Sequence, residues 1–434
     1  MTEIVAANDR ARLAALYRGG WAPSAEIVEG VRAILAEVRS SGDDALVAYT
    51  RRFDDPSFDR SRLAVAIPTL AAASALVPSG VALALELARE RVASFHARQL
   101  QADISYAEDD GTRYQFRYRP LDAIAAYVPG GSAPLPSSVI MTCVPAKVAG
   151  VTRTIVLTPP QRDGKVDPAV LFACALCEVD ELYAVGGAQA IAAAAYGTQS
   201  IVPVDKIVGP GNVWVTEAKR QVFGTCAIDG LAGPSEVLVV ADDGADQEYV
   251  VGELLAQAEH DPLARVALVS ESRGLLEACA RRLATLDVGG LPRGEIVAQT
   301  LARCCYLIHA ASRDEIFEVI ERFAPEHLAL QVRDPQEYFD RIKHVGAVFA
   351  GDATPVACGD YVAGTNHVLP TSGAARFSSG LSTADYLRTF TIVQNSARRM
   401  RADAQALATL AEFEGLAQHA QTARMRARIG DAGE

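Results

Sequence analysis

The sequence predicts an α/β protein built on two incomplete, Rossmann-like, doubly wound parallel sheets. Apolar runs of strand length alternate with helical segments through most of the chain, and the connections between them are short. Parallel strands need such crossover helices, so this alternation indicates parallel sheets. Glycine clusters also close several of the apolar runs, as in sheets that bind ligands at strand ends. The alternation falls into two consecutive blocks without a low-complexity linker between them.

The segments outside these blocks are predicted to be helical, because their apolar residues recur at helical spacing. The last helix is amphipathic and must dock, either on its own body or on a partner chain. We expect four parts: residues 1–24, an N-terminal helical segment; residues 25–125 with 236–380, an α/β domain carrying the metal and catalytic residues; residues 126–235, an α/β nucleotide-binding domain; and residues 381–434, a helical tail that reaches a partner subunit.

Composition excludes several function classes. The chain of 434 residues has a net charge of −12 and no long basic stretch, which argues against nucleic acid or an anionic membrane as partner. The uncharged run 184–204 contains three glycines and a proline and predicts strand, turn and helix rather than a membrane span. The N-terminus carries charges throughout, unlike a signal peptide. Cys174 and Cys177 form the one C-x-x-C, without a second pair, so we expect buried thiols and a cytoplasmic protein.

Three glycine turns follow predicted strands in the first block. They lie at Tyr127–Gly131, Gly186–Gln189 and Gly209–Asn212. Parallel sheets bind nucleotides at such turns, but none of the three matches G-x-G-x-x-G. From the residues alone they fit either a dinucleotide site or ordinary turn chemistry.

A helix predicted over residues 247–260 places two polar side chains at its carboxyl end. Gln257 and His260 lie three positions apart, about 60° from each other around the helix, and Asp261-Pro262 then ends it. One amide oxygen and one imidazole would project together. This pair is either half of a metal site or a helix-end histidine with ordinary partners.

Other candidate groups occur later in the chain. Glu326 and His327 begin a strand after Pro325, where both side chains could reach one cavity for acid–base chemistry. Asp360 and His367 belong to a glycine-rich loop over 354–380, and a loop of that length is usually functional. Asp360 equally fits an Asx-turn.

The tail contributes the last pair. Glu414 and His419 lie about 140° apart on an ideal helix, so they cannot face one point unless the helix bends or ends between them. With one further histidine, residues Gln257, His260 and Asp360 would form a nitrogen and oxygen ligand set suited to zinc. The sequence alone does not bring these residues together.

Eight motifs in register resemble the histidinol dehydrogenase family, from about residue 20 to 425. The motifs are YVPGGSAPLPSSVIM (127–141), VGGAQAIAAAAYGT (185–198), VDKIVGPGN (204–212), DGLAGPSE (229–236), QAEHDP (257–262), APEHL (324–328), GDYVAGTNHVLPTSGAARFSSGLS (359–382) and EGLAQHA (414–420). The resemblance implies oxidation of L-histidinol to L-histidine with two NAD⁺ through an enzyme-held aldehyde, as the last step of histidine biosynthesis.

The resemblance also implies residue roles. The zinc ligands would be Gln257, His260, Asp360 and His419, the last from the other subunit of a homodimer with shared active sites. Glu326 and His327 would be catalytic. Substrate would also be contacted by Ser235, His327, His367 and Glu414, together with the four zinc ligands, and the NAD⁺ site would be lined by Tyr127, Gln189 and Asn212.

Three other functions stay open at this level. A family relative oxidising another small alcohol, such as a sulfonated diol, would share the fold and the nucleotide region. A zinc hydrolase would use Glu326 on metal-bound water without a nucleotide. A non-catalytic scaffold would lack ligand residues, and none of the matching positions is missing here.

Overall fold

The computed structural model describes residues 3–17, 22–130 and 134–428. These residues form two compact units. The first contains the described residues up to Gln99 together with Leu121–Tyr386, and the second contains Leu100–Pro120 together with the described residues from Leu387 onward.

Short strands and longer helices alternate along most of the described chain. The strands are β1 (Ile4–Ala6), β2 (Ala64–Val65), β3 (Ile104–Ala107), β4 (Arg113–Pro120), β5 (Ala123–Tyr127), β6 (Arg153–Thr158), β7 (Glu181–Ala184), β8 (Lys206–Val208), β9 (Ala227–Ile228), β10 (Glu236–Ala241), β11 (Arg265–Ser270), β12 (Cys305–His309), β13 (His327–Gln331), β14 (Ala347–Ala350) and β15 (Leu387–Gln394). The α-helices are α1 (Ala25–Ser41), α2 (Asp43–Phe53), α3 (Leu70–Ser74), α4 (Ser79–Ala97), α5 (Pro136–Ala149), α6 (Pro168–Leu176), α7 (Gly187–Tyr196), α8 (Val213–Val222), α9 (Gln247–Ala258), α10 (Arg273–Ala284), α11 (Gly294–Arg303), α12 (Arg313–Phe323), α13 (Gln336–Phe339), α14 (Val356–Tyr361), α15 (Ala397–Phe413) and α16 (Ala417–Arg426).

The first unit contains both parallel sheets. One has the strand order β1-β12-β11-β10-β13-β14, and every neighbouring pair in it is parallel. The other has the order β2-β7-β6-β5-β8-β9 and is parallel except for the antiparallel pairing of β2 with β7. Central strands such as β10 are buried along their whole length, because crossover helices cover both faces of such sheets. The predicted α/β fold with two parallel sheets is confirmed.

Helices α1 and α2 pack on the sheet that contains β5. Val31 and Leu35 of α1 and Leu46 of α2 share a buried core with Ala125 and Ile155 of that sheet. The apolar stripe of α1 therefore joins the predicted nucleotide-binding half of the chain. The predicted boundaries had grouped residues 25–125 with 236–380 instead, and as a division into domains they stay a prediction.

The N-terminal and C-terminal segments differ from the helical prediction in two places. Ile4–Ala6 forms β1, parallel to β12 at a sheet edge, and the described residues 3–17 contain no α-helix. Leu387–Gln394 forms β15, antiparallel to β4 over eight residue pairs. Its sequence LRTFTIVQ is rich in β-branched and aromatic residues, which favour a strand, so the helical prediction was wrong for this stretch.

The second unit is an antiparallel sheet with a helical pair. Its strands are ordered β15-β4-β3, and α15 packs against α16 through Ala408, Ala411, Ala420 and Ala423. These small side chains allow the two helices to approach closely. The predicted amphipathic tail is thus a hairpin of two helices.

Candidate active site

The candidate catalytic residues lie at the amino edge of the sheet that contains β10 and β13. Glu236 and His327 are the first residues of these two strands, and Val237 pairs with His327. Helix α9 returns from the carboxyl end of β10 to the start of β11, so its own carboxyl end, with Gln257, comes back to this edge. The short helix α14 supplies Asp360, in a stretch that was predicted as loop.

His327 is held as a neutral base with a defined tautomer. Only 4% of the residue is exposed, and Nδ1 lies 2.9 Å from the carbonyl oxygen of Glu236. Because a carbonyl only accepts, Nδ1 carries the proton and Nε2 has a free lone pair. Burial lowers the pKa of His327, and the nearby Asp360 carboxylate opposes this shift. Nε2 points towards that carboxylate, 4.0 Å from its Oδ1.

Glu326 is a buried acid fixed by the same neighbouring residue. It is 6% exposed, and its Oε2 accepts a hydrogen bond of 3.0 Å from the backbone N–H of Glu236. Burial raises the pKa of Glu326 well above its usual value, and the negative charges of Glu236 and Asp360 raise it further. The strand starts therefore present an acid and an imidazole side by side, with Nδ1 and Oε2 3.6 Å apart.

The glycine-rich loop brings a second histidine to this site. His367 Nδ1 lies 3.0 Å from the backbone carbonyl of Asp360 and donates to it. Burial lowers the pKa of His367, and His260 lowers the pKa of both His327 and His367 by charge repulsion. Asp360, His327, His367 and His260 therefore share one electrostatic environment.

The donor set fits zinc in its chemistry. Gln257 is 4% exposed, and its Nε2 is buried without a hydrogen-bond partner among the described residues, so the amide is fixed by packing alone. The side chain of His260 is exposed. Within the part of the chain that the structure describes, no three His, Cys, Asp or Glu side chains gather as a metal-binding group.

Glu414 and His419 belong to the second unit, and both side chains are exposed there. Helix α15 ends at Phe413, Gly415 turns the chain with a φ of 78°, and α16 begins at Ala417. The helix therefore ends between the two residues, as the sequence required if both were to face one point.

The predicted nucleotide residues line a single cavity of about 1300 Å³. Tyr127 ends β5, Gln189 lies in the first turn of α7 after β7, and Asn212 follows β8, so all three are at the carboxyl edge of the second parallel sheet. Tyr127 Oη accepts the backbone N–H of Gly187 at 3.1 Å, and Asn212 caps α8 through two backbone N–H groups. At Gly209, φ is 106° and an added Cβ would lie 2.3 Å from the carbonyl oxygen of Tyr127, so this turn requires glycine.

Several residues of the candidate catalytic site and of the nucleotide cavity were not predicted from the sequence. Glu236 was included in a motif without a role, although an acidic residue opening a fully apolar strand is itself a signal of a buried polar partner. Arg265, which pairs with Glu236, opens β11 in the same way. Asp54 and Trp214 line the nucleotide cavity, and Asp54 lies at the end of α2 with no motif near it.

Together the fold and the site define an enzyme with a buried acid–imidazole pair and a nucleotide-sized cavity on parallel sheets. The family model described as "Histidinol dehydrogenase" matches residues 21–427. A histidinol dehydrogenase of Gluconobacter oxydans is 44% identical over 400 residues, covering 92% of this chain and 93% of that relative. One from Rhodospirillum rubrum is 44% identical over 419 residues, 96% of each chain.

A solved structure extends the likeness to the fold. The crystal structure of histidinol dehydrogenase from Elizabethkingia anophelis superposes with a TM-score of 0.91 at 32% identity, covering 98% of both chains. The chain therefore belongs to the histidinol dehydrogenase family of NAD-dependent oxidoreductases, whose members use NAD and zinc. The family resemblance predicted from the motifs is confirmed. Among the described residues, no helix has the length and apolarity needed to cross a membrane.

Proposed function

We propose that this protein oxidises L-histidinol to L-histidine through histidinaldehyde, reducing two NAD⁺, at the last step of histidine biosynthesis. The observation that carries the proposal is the family match over residues 21–427 together with the Glu326–His327 pair at the strand starts. The relatives that match more than nine-tenths of the chain are also named histidinol dehydrogenase.

His327 acts as the base in both oxidation steps. Its Nδ1 proton is committed to the Glu236 carbonyl, so Nε2 accepts the alcohol proton as hydride leaves the carbon. Nε2 releases this proton to solvent before the second step, and after water adds to the aldehyde it accepts a proton from the hydrate as the second hydride leaves. A lowered pKa keeps this imidazole neutral and ready to accept.

With a metal bound, which would favour its ionised form, the Glu326 carboxylate accepts a proton from the water that attacks the aldehyde. Its carboxyl group is held beside His327 by the Glu236 N–H, and its burial excludes bulk water from the reacting carbon. Its Oε2 lies 3.6 Å from the protonated Nδ1 of His327, so the ionised carboxylate stabilises the imidazolium that forms when Nε2 accepts a proton.

The metal would be held by Gln257, His260 and Asp360, with His419 from a second subunit. When bound, zinc supplies a Lewis acid that fixes the amino alcohol of the substrate and favours ionised carboxylates beside it. Ser235 and His367 would contact substrate from the same chain, and Glu414 from the second subunit. This arrangement requires a homodimer with shared sites, and the exposed side chains of Glu414 and His419 in the second unit are compatible with it.

The nucleotide would occupy the cavity lined by Tyr127, Gln189 and Asn212. Helices α7 and α8 begin at this cavity, and their N-terminal N–H groups suit the pyrophosphate of NAD⁺. A reducing compartment suits the eight cysteines, which are all free thiols, so we assign the protein to the cytoplasm.

The proposal is tested by NADH formation from NAD⁺ and L-histidinol, with and without zinc. We expect zinc-dependent NADH production, and its absence would favour hydrolytic chemistry. A comparison of kcat/KM between histidinol and a sulfonated diol then tests the substrate. A preference for the diol of about 10-fold, near 1.4 kcal/mol, would contradict the assignment of histidinol.

A further inference from the structure

One residue outside the proposed catalytic set touches both members of the catalytic pair. The backbone N–H of Glu236 donates to Glu326 Oε2 at 3.0 Å, and its carbonyl oxygen accepts from His327 Nδ1 at 2.9 Å. A single peptide segment therefore fixes the carboxyl orientation of one group and the tautomer of the other. Displacement of this segment would disturb both groups at once.

The side chain of Glu236 anchors this segment. It is fully buried and pairs with the guanidinium of Arg265, while its Oε1 also accepts the backbone N–H of Ser372 at 3.0 Å. Ser372 lies in the glycine-rich loop that carries His367. The strand start, the neighbouring strand β11 and the loop are thus joined at one carboxylate.

Arg265 is itself held on other sides. Its Nη1 donates to the carbonyl oxygen of Leu16 at 2.9 Å, and its guanidinium lies over the ring of Phe323, 5.5 Å from the centroid. Phe323 ends α12, three residues before Glu326. Arg265 therefore contacts both the residue that holds the catalytic pair and the segment that leads into it.

The chemistry of this ion pair argues for more than packing. Buried ion pairs stabilise folds weakly, because desolvation offsets most of the attraction. Glu236 Oε2 also lacks a hydrogen-bond partner among the described residues, which is a further cost. Replacing a buried ion pair by apolar residues of similar volume is often neutral for stability, so this pair is better explained by the geometry that it fixes.

We propose that Glu236, anchored by Arg265, is a positioning residue that sets the geometry of the Glu326–His327 pair for both oxidation steps. Glu236 does not touch substrate in this assignment and acts through its two backbone hydrogen bonds. The inference rests on the proposed histidinol oxidation.

The test is the Glu236→Gln variant of the zinc-loaded enzyme, assayed with L-histidinol and separately with histidinaldehyde. Glutamine keeps the shape and loses the ion pair. We expect kcat to fall about 10-fold or more on both substrates, with KM for histidinol within about 3-fold of the wild type. Zinc content, subunit assembly and thermal unfolding show whether the variant is loaded and folded.

A matched control is Glu217→Gln. Glu217 is another fully buried glutamate paired with an arginine, Arg220, on α8, and its carboxylate accepts hydrogen bonds from Arg220 and Gln221 of the same helix. We expect this variant to lose stability while kcat stays within about twofold of the wild type. An equal loss of kcat in the control would overturn the positioning role, because loss of any buried ion pair would then explain the effect.

A second variant tests the proposal if Glu236→Gln does not fold. Arg265→Lys keeps a cation but loses the planar fork and the stacking on Phe323, and we expect the same fall in kcat at nearly constant KM. Unchanged kcat in a folded variant, or a change in KM or zinc content alone, would contradict the proposal. An inactive wild type would instead overturn the proposed function, so the two failures are distinct.

Discussion

At the scale of single residues, the site holds two ionisable groups that burial drives to their neutral forms. The pKa of Glu326 is raised and that of His327 is lowered. Neither group then needs a buried counter-ion, which limits the desolvation cost. Substrate and metal bring the charges with which the pair reacts.

Replacement of His327 by Asn should remove the base while the strand start is kept. We expect kcat to fall about 10²- to 10⁴-fold for both histidinol and histidinaldehyde, because proton acceptance is needed in each step. Steady-state rates on the two substrates measure this. A loss confined to histidinol would show that another group serves the second step.

Asp54 provides a pH-dependent test in the nucleotide cavity. Burial raises the pKa of its carboxyl to about 6, so the folded protein favours the protonated form. The favourable contribution of this carboxyl to the free energy of unfolding is complete below about pH 4. It is lost as pH rises through about 6. The free energy of unfolding of Asp54→Asn should therefore rise relative to that of the wild type, by on the order of 1 kcal/mol, between about pH 4 and pH 7.

Chemical denaturation across this pH range, without NAD⁺, measures the difference. Asp59→Asn is the control of opposite sign, because hydrogen bonds from Ser61 lower the pKa of Asp59. That variant should be less stable than the wild type at neutral pH, and the difference should vanish as pH falls. Parallel behaviour of the two variants would contradict the assignment for Asp54.

At the scale of elements, helix α9 links one sheet face to the proposed metal site. Val250, Leu254 and Ala258 are buried against the sheet, and this packing delivers Gln257 to its edge. Asp246 caps the other end of the helix, where its side chain accepts the N–H of Glu248 at 2.7 Å.

Asp246→Ala should separate helix stability from metal binding. Loss of the cap should cost about 1 kcal/mol of unfolding free energy, with zinc content unchanged, because the cap lies at the opposite end from Gln257. Gln257→Ala should show the reverse pattern. Chemical denaturation and metal analysis of both variants measure these effects. Loss of zinc in Asp246→Ala would contradict the prediction, because it would show that loss of the N-terminal cap also displaces Gln257 at the other end of α9.

The elements also show what could be predicted from the sequence. Strands such as β10 and helices such as α9 carry complete periodic patterns, so their positions were predictable. Strand β15 was missed because its alternation is partial and it pairs with a distant segment, β4. The short helix α14 was predicted as loop, since six residues hold too little periodicity.

The candidate site was less predictable than the elements. Gln257 lies in the last turn of α9 and His260 just beyond the helix end, and their position relative to Asp360 depends on how α9 and α14 pack on the same sheet. The motifs supplied these residues only through family resemblance. The acidic type of Glu236 signals a buried polar partner, but its two hydrogen bonds to the catalytic pair use backbone atoms, which residue type does not reveal.

At the scale of the whole molecule, the proposed site needs two subunits. A His419→Ala chain keeps Gln257, His260 and Asp360, whereas a Gln257→Ala/His260→Ala chain keeps His419. Each homodimer should lack zinc and activity. In a mixed dimer one of the two sites regains all four ligands.

Mixing equal amounts of the two chains should therefore recover about a quarter of wild-type activity after random subunit exchange, because half of the dimers are mixed and each has one site. Zinc content should recover in proportion. The absence of recovery after verified exchange would contradict the cross-subunit ligand.

The central claim is that one site carries out both oxidations of histidinol. The most direct measurement is the ratio of NADH formed to L-histidinol consumed, with the final product identified. The account predicts two NADH for each histidinol, with histidine as the product. Formation of one NADH for each histidinol, with release of the free aldehyde, would contradict it. So would the absence of any reaction with histidinol when another alcohol is oxidised rapidly.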